Sequence, residues 1–199
     1  MFMNPCFIAI EGLDGSGGTT QVAMLCEALG AVATAEPSSG PVGQLIRQTL
    51  RNEVPLGDGV LPLLFAADRT DHLAREIEPL LAEGKIVVSD RYYASSLAYQ
   101  SLVAPLGEVA ELNASFRAPD ITVFLDLSPE ACIERITARG EQKERFEELD
   151  RLREISAAYG AALALLSGRG ERIVHIDASA SVEEVHARIM EAIAPLVPA

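Results

Sequence analysis

The chain holds only three cysteines, Cys6, Cys26 and Cys132, too widely spaced for a disulfide framework or a metal-binding pattern. Each lies in an apolar or helical context, which suits free thiols packed in a core within a reducing compartment. Positive charge is scarce too: 16 Lys and Arg stand against 29 Asp and Glu, a formal net charge of −13. A field of that sign repels nucleic acid and anionic membranes, so neither is expected as the main partner. Long apolar runs are missing and no charged-then-apolar leader opens the sequence, so neither insertion nor export is expected, and a soluble cytoplasmic protein is. What is present, 49% apolar and 23% charged over 199 residues, suffices for one well-buried core and is short for two. A single domain over 1–199 is expected, without repeats, low-complexity tails or linkers.

One further absence is a lysine at position 18. Residues 12–19 read Gly-Leu-Asp-Gly-Ser-Gly-Gly-Thr, where a phosphate-binding loop has glycine, four residues and then Gly-Lys-Ser or Gly-Lys-Thr. Such a loop bends so that successive N–H groups converge on phosphate oxygens at a helix N-terminus. Gly12, Leu13, Asp14, Gly15, Ser16, Gly17, Gly18, Thr19 and Thr20 are therefore candidate ATP contacts, with the Thr19 hydroxyl a candidate ligand of Mg²⁺. A lysine would place a charge beside the β- and γ-phosphates; Gly18 offers only its amide. A glycine-rich turn joining a strand to a helix is the plain alternative.

The flanks favour the loop. An apolar run over 7–10 reads as a buried strand, and 21–29 as a helix with Val22, Leu25, Cys26 and Leu29 on one face. Further strands are expected over 86–89, 121–125 and 173–176, with a short one near 32–34. Helices are expected over 42–50, 61–83, 93–101, 107–116, 129–139, 147–166 and 182–196. Strand and helix alternate throughout, which predicts an α/β protein with a parallel sheet covered on both faces. Ser128-Pro129-Glu130 marks a helix start, and Ser181 with Glu184 forms a capping-box pattern.

Four later segments fall in a telling order: Glu36-Pro37-Ser38-Ser39-Gly40-Pro41-Val42-Gly43-Gln44-Leu45-Ile46-Arg47, Leu64-Phe65-Ala66-Ala67-Asp68-Arg69, Asp90-Arg91-Tyr92-Tyr93-Ala94-Ser95-Ser96-Leu97-Ala98-Tyr99-Gln100, and Pro119-Asp120-Ile121-Thr122-Val123-Phe124-Leu125-Asp126. With the glycine loop they resemble the bacterial thymidylate kinase family. The resemblance implies a three-layer P-loop fold of about five parallel strands with a short lid over about 139–150. It also implies transfer of the γ-phosphoryl group of ATP, with Mg²⁺, to thymidine monophosphate, and a homodimer. Here the helix around 61–81 suits either that interface or plain core burial.

By the same resemblance Arg47 and Arg91 hold the acceptor phosphate, Glu36 and Pro37 line its site, and Asp14 approaches its phosphate and sugar. Phe65 stacks on the base, Arg69 reaches a base carbonyl, Ser96 and Gln100 face the pyrimidine edge, and Tyr99 packs beside the deoxyribose. Asp90, after an apolar strand, would orient Mg²⁺ or its waters. Phe65 equally suits core packing, and Arg69 an ion pair with Asp68 or Asp71. Asp-Arg directly after a buried strand puts Arg91 at the sheet's carboxyl edge, the usual ligand crevice.

Arg135, Arg139, Lys143 and Arg145 bracket the expected lid. Arg139 is a candidate ATP contact, and Lys143 and Arg145 candidate catalytic cations, with Arg145 aligned to the lid arginine of bacterial members. A solvated helix face with i,i+4 pairs is the plain alternative. The departures from the family's pattern are Gly18 for lysine, Ala35 for arginine and Ser38-Ser39 for two glycines. A lid cation replacing the missing lysine is the expectation; a catalytically impaired nucleotide-binding protein and a kinase for another deoxynucleoside monophosphate are the alternatives.

Overall fold

The computed structural model describes residues 5–57, 59–138 and 145–197, with 145–147 described in backbone only. In chain order the elements are β1 (Cys6–Gly12), α1 (Gly18–Leu29), β2 (Val32–Ala35), α2 (Pro41–Leu50), α3 (Val60–His72), a π-helical segment (Leu73–Ile77), α4 (Glu78–Ala82), β3 (Ile86–Asp90), α5 (Tyr93–Gln100), α6 (Leu106–Asn113), β4 (Ile121–Asp126), α7 (Pro129–Ala138), α8 (Arg145–Gly168), β5 (Ile173–Asp177) and α9 (Val182–Ile193). All five expected strands form one parallel sheet, in the order β2-β3-β1-β4-β5. The expected helices are present with ends shifted by up to three residues.

Every residue of β1 is buried, as a central parallel strand with helices on both faces must be. Phe7 packs edge-on against Tyr92 at 4.9 Å between ring centres. Helices α1 and α9 pack against each other, as do α5 and α8. Chain order reverses about β1, so a crevice opens at the carboxyl ends of β1 and its neighbours. Ile10 pairs with Asp90, and Ala35 with Asp90. Three strands therefore deliver Glu11, Glu36 and Arg91 to the same edge.

Two local differences have clear causes. Helix α1 starts at Gly18 rather than at residue 21, because the glycine loop runs straight into its first turn. The single helix expected over 61–83 contains the π segment. Its buried positions Arg69, Leu73, Ile77 and Leu81 recur every four residues, a spacing that drifts about 40° per step on an α-helix. The wider π turn takes up that drift and keeps all four on the buried side of the helix.

Cys6 and Cys132 are buried free thiols and Cys26 is half-buried and free. Burial pushes the first two up to about 12 and about 11. Among the described residues no helix is long and apolar enough to cross a membrane.

Candidate active site

The glycine loop follows β1 and shapes a cleft of about 290 Å³, lined also by Ala35, Glu36, Pro37, Asp90 and Arg91. Gly15 takes a left-handed φ of 87°, and a Cβ there would lie 2.7 Å from the Cys132 carbonyl oxygen, so a side chain is excluded on both counts. Arg135, expected to bracket the lid, instead braces the loop: it donates to the Ser16 carbonyl at 3.2 Å and the Ala178 carbonyl at 2.9 Å.

At the start of α1 the Thr19 hydroxyl donates to Asp90 Oδ2 at 2.7 Å. Both are hard oxygen donors. Mg²⁺ is ordinarily held by one or two such groups together with substrate phosphates and water, so the pair fits that ion. A Cβ on Gly18 would lie 3.2 Å from Asp90 Oδ1, so a side chain at this position would start beside that carboxylate.

Arg91 stands across the cleft. Its φ is +70°, a left-handed value uncommon for a residue with a side chain, and its amide donates to the Ile10 carbonyl at 2.9 Å. The guanidinium lies 5.1 Å from the centre of the Tyr99 ring. Nη2 donates to Asp14 Oδ1 at 2.8 Å, and the Tyr99 hydroxyl reaches Asp14 Oδ2 at 3.4 Å. Nη1 donates to Ser95 Oγ and to the Tyr159 hydroxyl, each at 3.1 Å. Burial alone would lower the Arg91 pKa, but Tyr159, Tyr99, Asp14 and Glu11 carry it well above the ordinary value. Burial pushes the Tyr99 phenol up to about 12.

The other predicted acceptor residues fall into two groups. Arg69 is fully buried. It pairs with Glu36, from the loop after β2, and not with its helical neighbours Asp68 or Asp71. It also donates to Ser96 Oγ at 2.9 Å and to Asn113 Oδ1, with the Tyr92 and Phe116 rings 5.1 and 5.5 Å from its guanidinium carbon. Glu36 is held from its other side by His72, 3.2 Å away.

Arg47 donates to the Pro37 and Ser38 carbonyls. Gly43 makes this possible: α2 lies so close to the loop that a Cβ at 43 would fall 2.0 Å from Ser38 O. Phe65 is half-buried on α3 and lies outside the main core. Ser96 and Gln100 are one turn apart on α5, both buried, and neither amide atom of Gln100 has a partner among the described residues. A buried amide without partners costs free energy and marks a place where a polar ligand can complete the bonding.

The thymidylate kinase family model matches residues 10–189. The chain belongs to the thymidylate kinase family. Relatives include the "Probable thymidylate kinase" of Pyrobaculum aerophilum, 43% identical over 193 residues, covering 96% of this chain and 97% of that protein. The "Probable thymidylate kinase" of Pyrobaculum calidifontis is 42% identical over 181 residues, covering 90% and 91%. The "Thymidylate kinase" of Symbiobacterium thermophilum is 37% identical over 204 residues, covering 96% and 94%. As a thymidylate kinase family member the protein is an ATP-dependent nucleoside monophosphate kinase.

Arg139 and Lys143 lie outside the described residues, as does the side chain of Arg145, whose backbone opens α8. Sequence reasoning overlooked Glu11, Ser95, Tyr159, His72 and Asn113. Glu11 carried a signal, an acid ending an apolar strand, whereas Tyr159 and Asn113 sit on helices where nothing in the sequence separates them from ordinary packing.

Proposed function

We propose that this thymidylate kinase family member transfers the γ-phosphoryl group of ATP to the 5′-phosphate of thymidine monophosphate, in the cytoplasm and as a homodimer. The observation that carries the reading is that the Thr19–Asp90 pair, on the donor side, and Arg91 face one cleft. Donor and acceptor phosphates then meet in a single space.

An oxygen of the acceptor phosphate attacks the γ-phosphorus as the bond to the β–γ bridging oxygen breaks, and ADP departs with that electron pair. A phosphate monoester is largely dianionic at neutral pH, so the attack needs no general base. The loop amides of 12–20 cradle the donor phosphates at the N-terminus of α1. Arg91 holds the acceptor phosphate and offsets repulsion between the two anions. Mg²⁺, held by Thr19 and Asp90, would supply neutralisation of charge at the β- and γ-phosphate oxygens. Phe65, Ser96 and Gln100 take the base, Arg69 backs Ser96 within that pocket, Tyr99 disfavours a 2′-hydroxyl, and Arg47 with Glu36 and Pro37 shapes the acceptor side.

Gly18 stands where this family's pattern has lysine, and we propose that Lys143 or Arg145 supplies the charge, with Arg139 at the nucleotide. Loss of such a cation costs a rate factor of about 10³ to 10⁵. Steady-state ADP release with ATP, Mg²⁺ and thymidine monophosphate tests the whole reading. Turnover is expected, with a fall of that size in Lys143→Ala or Arg145→Ala; two variants near parental rates would end the idea of compensation. Binding without turnover, restored by Gly18→Lys, would identify a catalytically impaired nucleotide-binding protein instead. Faster turnover with deoxyuridylate, deoxycytidylate or deoxyguanylate would reassign the acceptor.

A further inference from the structure

Beneath Arg91 lies a group of side chains that the proposed chemistry does not use. Glu11, the last residue before the glycine loop, is 1% exposed. Its Oε1 accepts from the Tyr92 amide at 2.8 Å and the Ser95 amide at 3.2 Å, at the N-terminus of α5, where amides have no partner within the helix. Its Oε2 accepts from Ser95 Oγ at 2.6 Å and from the Tyr159 hydroxyl at 3.0 Å. The two hydroxyls are 2.7 Å apart, and both accept from Arg91 Nη1.

We infer that Glu11, Ser95 and Tyr159 form a buried cradle that sets the direction of Arg91, and that all three are positioning residues for the acceptor phosphate. The inference rests on Arg91 being the cation that holds that phosphate. A carboxylate can only accept hydrogen bonds. Glu11 therefore draws the Ser95 proton toward itself, the Tyr159 proton is shared between Glu11 Oε2 and Ser95 Oγ, and both hydroxyls turn lone pairs to Nη1. With Nη1 committed inward, Nη2 faces exposed Asp14 and the cleft.

The arrangement spans three distant parts of the chain. Glu11 is the penultimate residue of β1, Ser95 is on α5 and Tyr159 is on α8, where its ring packs 5.1 Å from Phe124 and 6.1 Å from Tyr99. Burial raises the Glu11 carboxyl, against the lowering effects of Ser95, Arg91, Tyr92 and Tyr159. A buried acid surrounded by donors and one guanidinium is satisfied electrostatically only while that guanidinium stays in place. The backbone of Arg91, in the left-handed region, is fixed by the same surroundings.

The test is titration calorimetry on the full-length protein with thymidine monophosphate and with thymidine, whose difference isolates the phosphate. Tyr159→Phe keeps the ring and removes only the hydroxyl; Ser95→Ala removes the second hydroxyl, and Ser95→Thr restores it. The cradle predicts that Tyr159→Phe and Ser95→Ala each weaken the monophosphate on the order of tenfold, as expected for a lost hydrogen bond to a charged group. Thymidine affinity stays at parental level, and Ser95→Thr recovers most of the loss. Equal weakening of both ligands would reduce these residues to packing and overturn the inference. An unchanged ratio in both hydroxyl variants, beside a collapsed ratio in Arg91→Ala, would overturn it while leaving the Arg91 assignment standing. An unchanged ratio in Arg91→Ala itself would remove that assignment and the cradle with it.

Discussion

Two buried carboxylates set the chemistry of single residues here, and they do it in opposite ways. Glu36 is paired with a fully buried guanidinium, so Glu36→Gln leaves the Arg69 charge enclosed and uncompensated. Removing one partner of such a pair costs about 3–5 kcal/mol, and urea denaturation should record a loss of that order. Glu11 has no comparable ion pair, and burial leads the causes that hold its pKa above the ordinary value of 4.5. A raised acid favours the folded state at low pH and loses that contribution as pH climbs from the unfolded value through the folded one. Relative to Glu11→Gln, the parental protein should therefore lose stability as pH rises above about 4.5, measured by urea midpoints over a pH series. A flat difference would mean that Glu11 titrates as it does in the unfolded chain.

Among the elements, local rules read the chain well where backbone and side chain agree. The Ser181 hydroxyl accepts from the Glu184 amide, and the Glu184 carboxylate from the Ser181 amide. Ser181→Ala should cost about 1 kcal/mol, detectable in a thermal or denaturant melt. All five strands were legible because buried parallel strands are plain apolar runs; Gly12, Asp90 and Arg91 stood out as candidates because strand ends meet at one edge, and Thr19 because the glycine loop opens a helix. The π segment was not, although its four-residue spacing is visible once sought. Nor was the Arg69 partner, since nothing in the helix pattern distinguishes Glu36, 33 residues away, from the adjacent Asp68. Tyr159 was invisible for a related reason: its role arises from a meeting of β1, α5 and α8 that periodicity cannot encode.

At the scale of the whole molecule, a net charge of −13 is an awkward background for two anionic substrates, which the proposed contacts of Arg91 and the loop amides would outweigh locally. Among the described residues the exposed large apolar side chains include Val60 and Leu63 at the start of α3, at 37% and 59% exposed, beside Leu50, Leu56, Val103 and Val182 elsewhere. If Val60 and Leu63 form part of the proposed homodimer contact, the protein should sediment at about twice the 21.2 kDa chain mass, and Leu63→Glu should shift it toward the monomer. A monomeric parental protein would remove that interface.

The left-handed backbone at Arg91 also bears on how this protein could evolve. Glycine adopts that conformation without steric penalty, so Arg91→Gly would relieve local strain while deleting the proposed phosphate contact. The same substitution would also take the guanidinium from Ser95, Tyr159 and the buried Glu11 beneath them, so backbone strain and side-chain bonding pull stability in opposite directions at this position. Position 91 thus joins a backbone conformation that suits glycine to a side chain that its surroundings require.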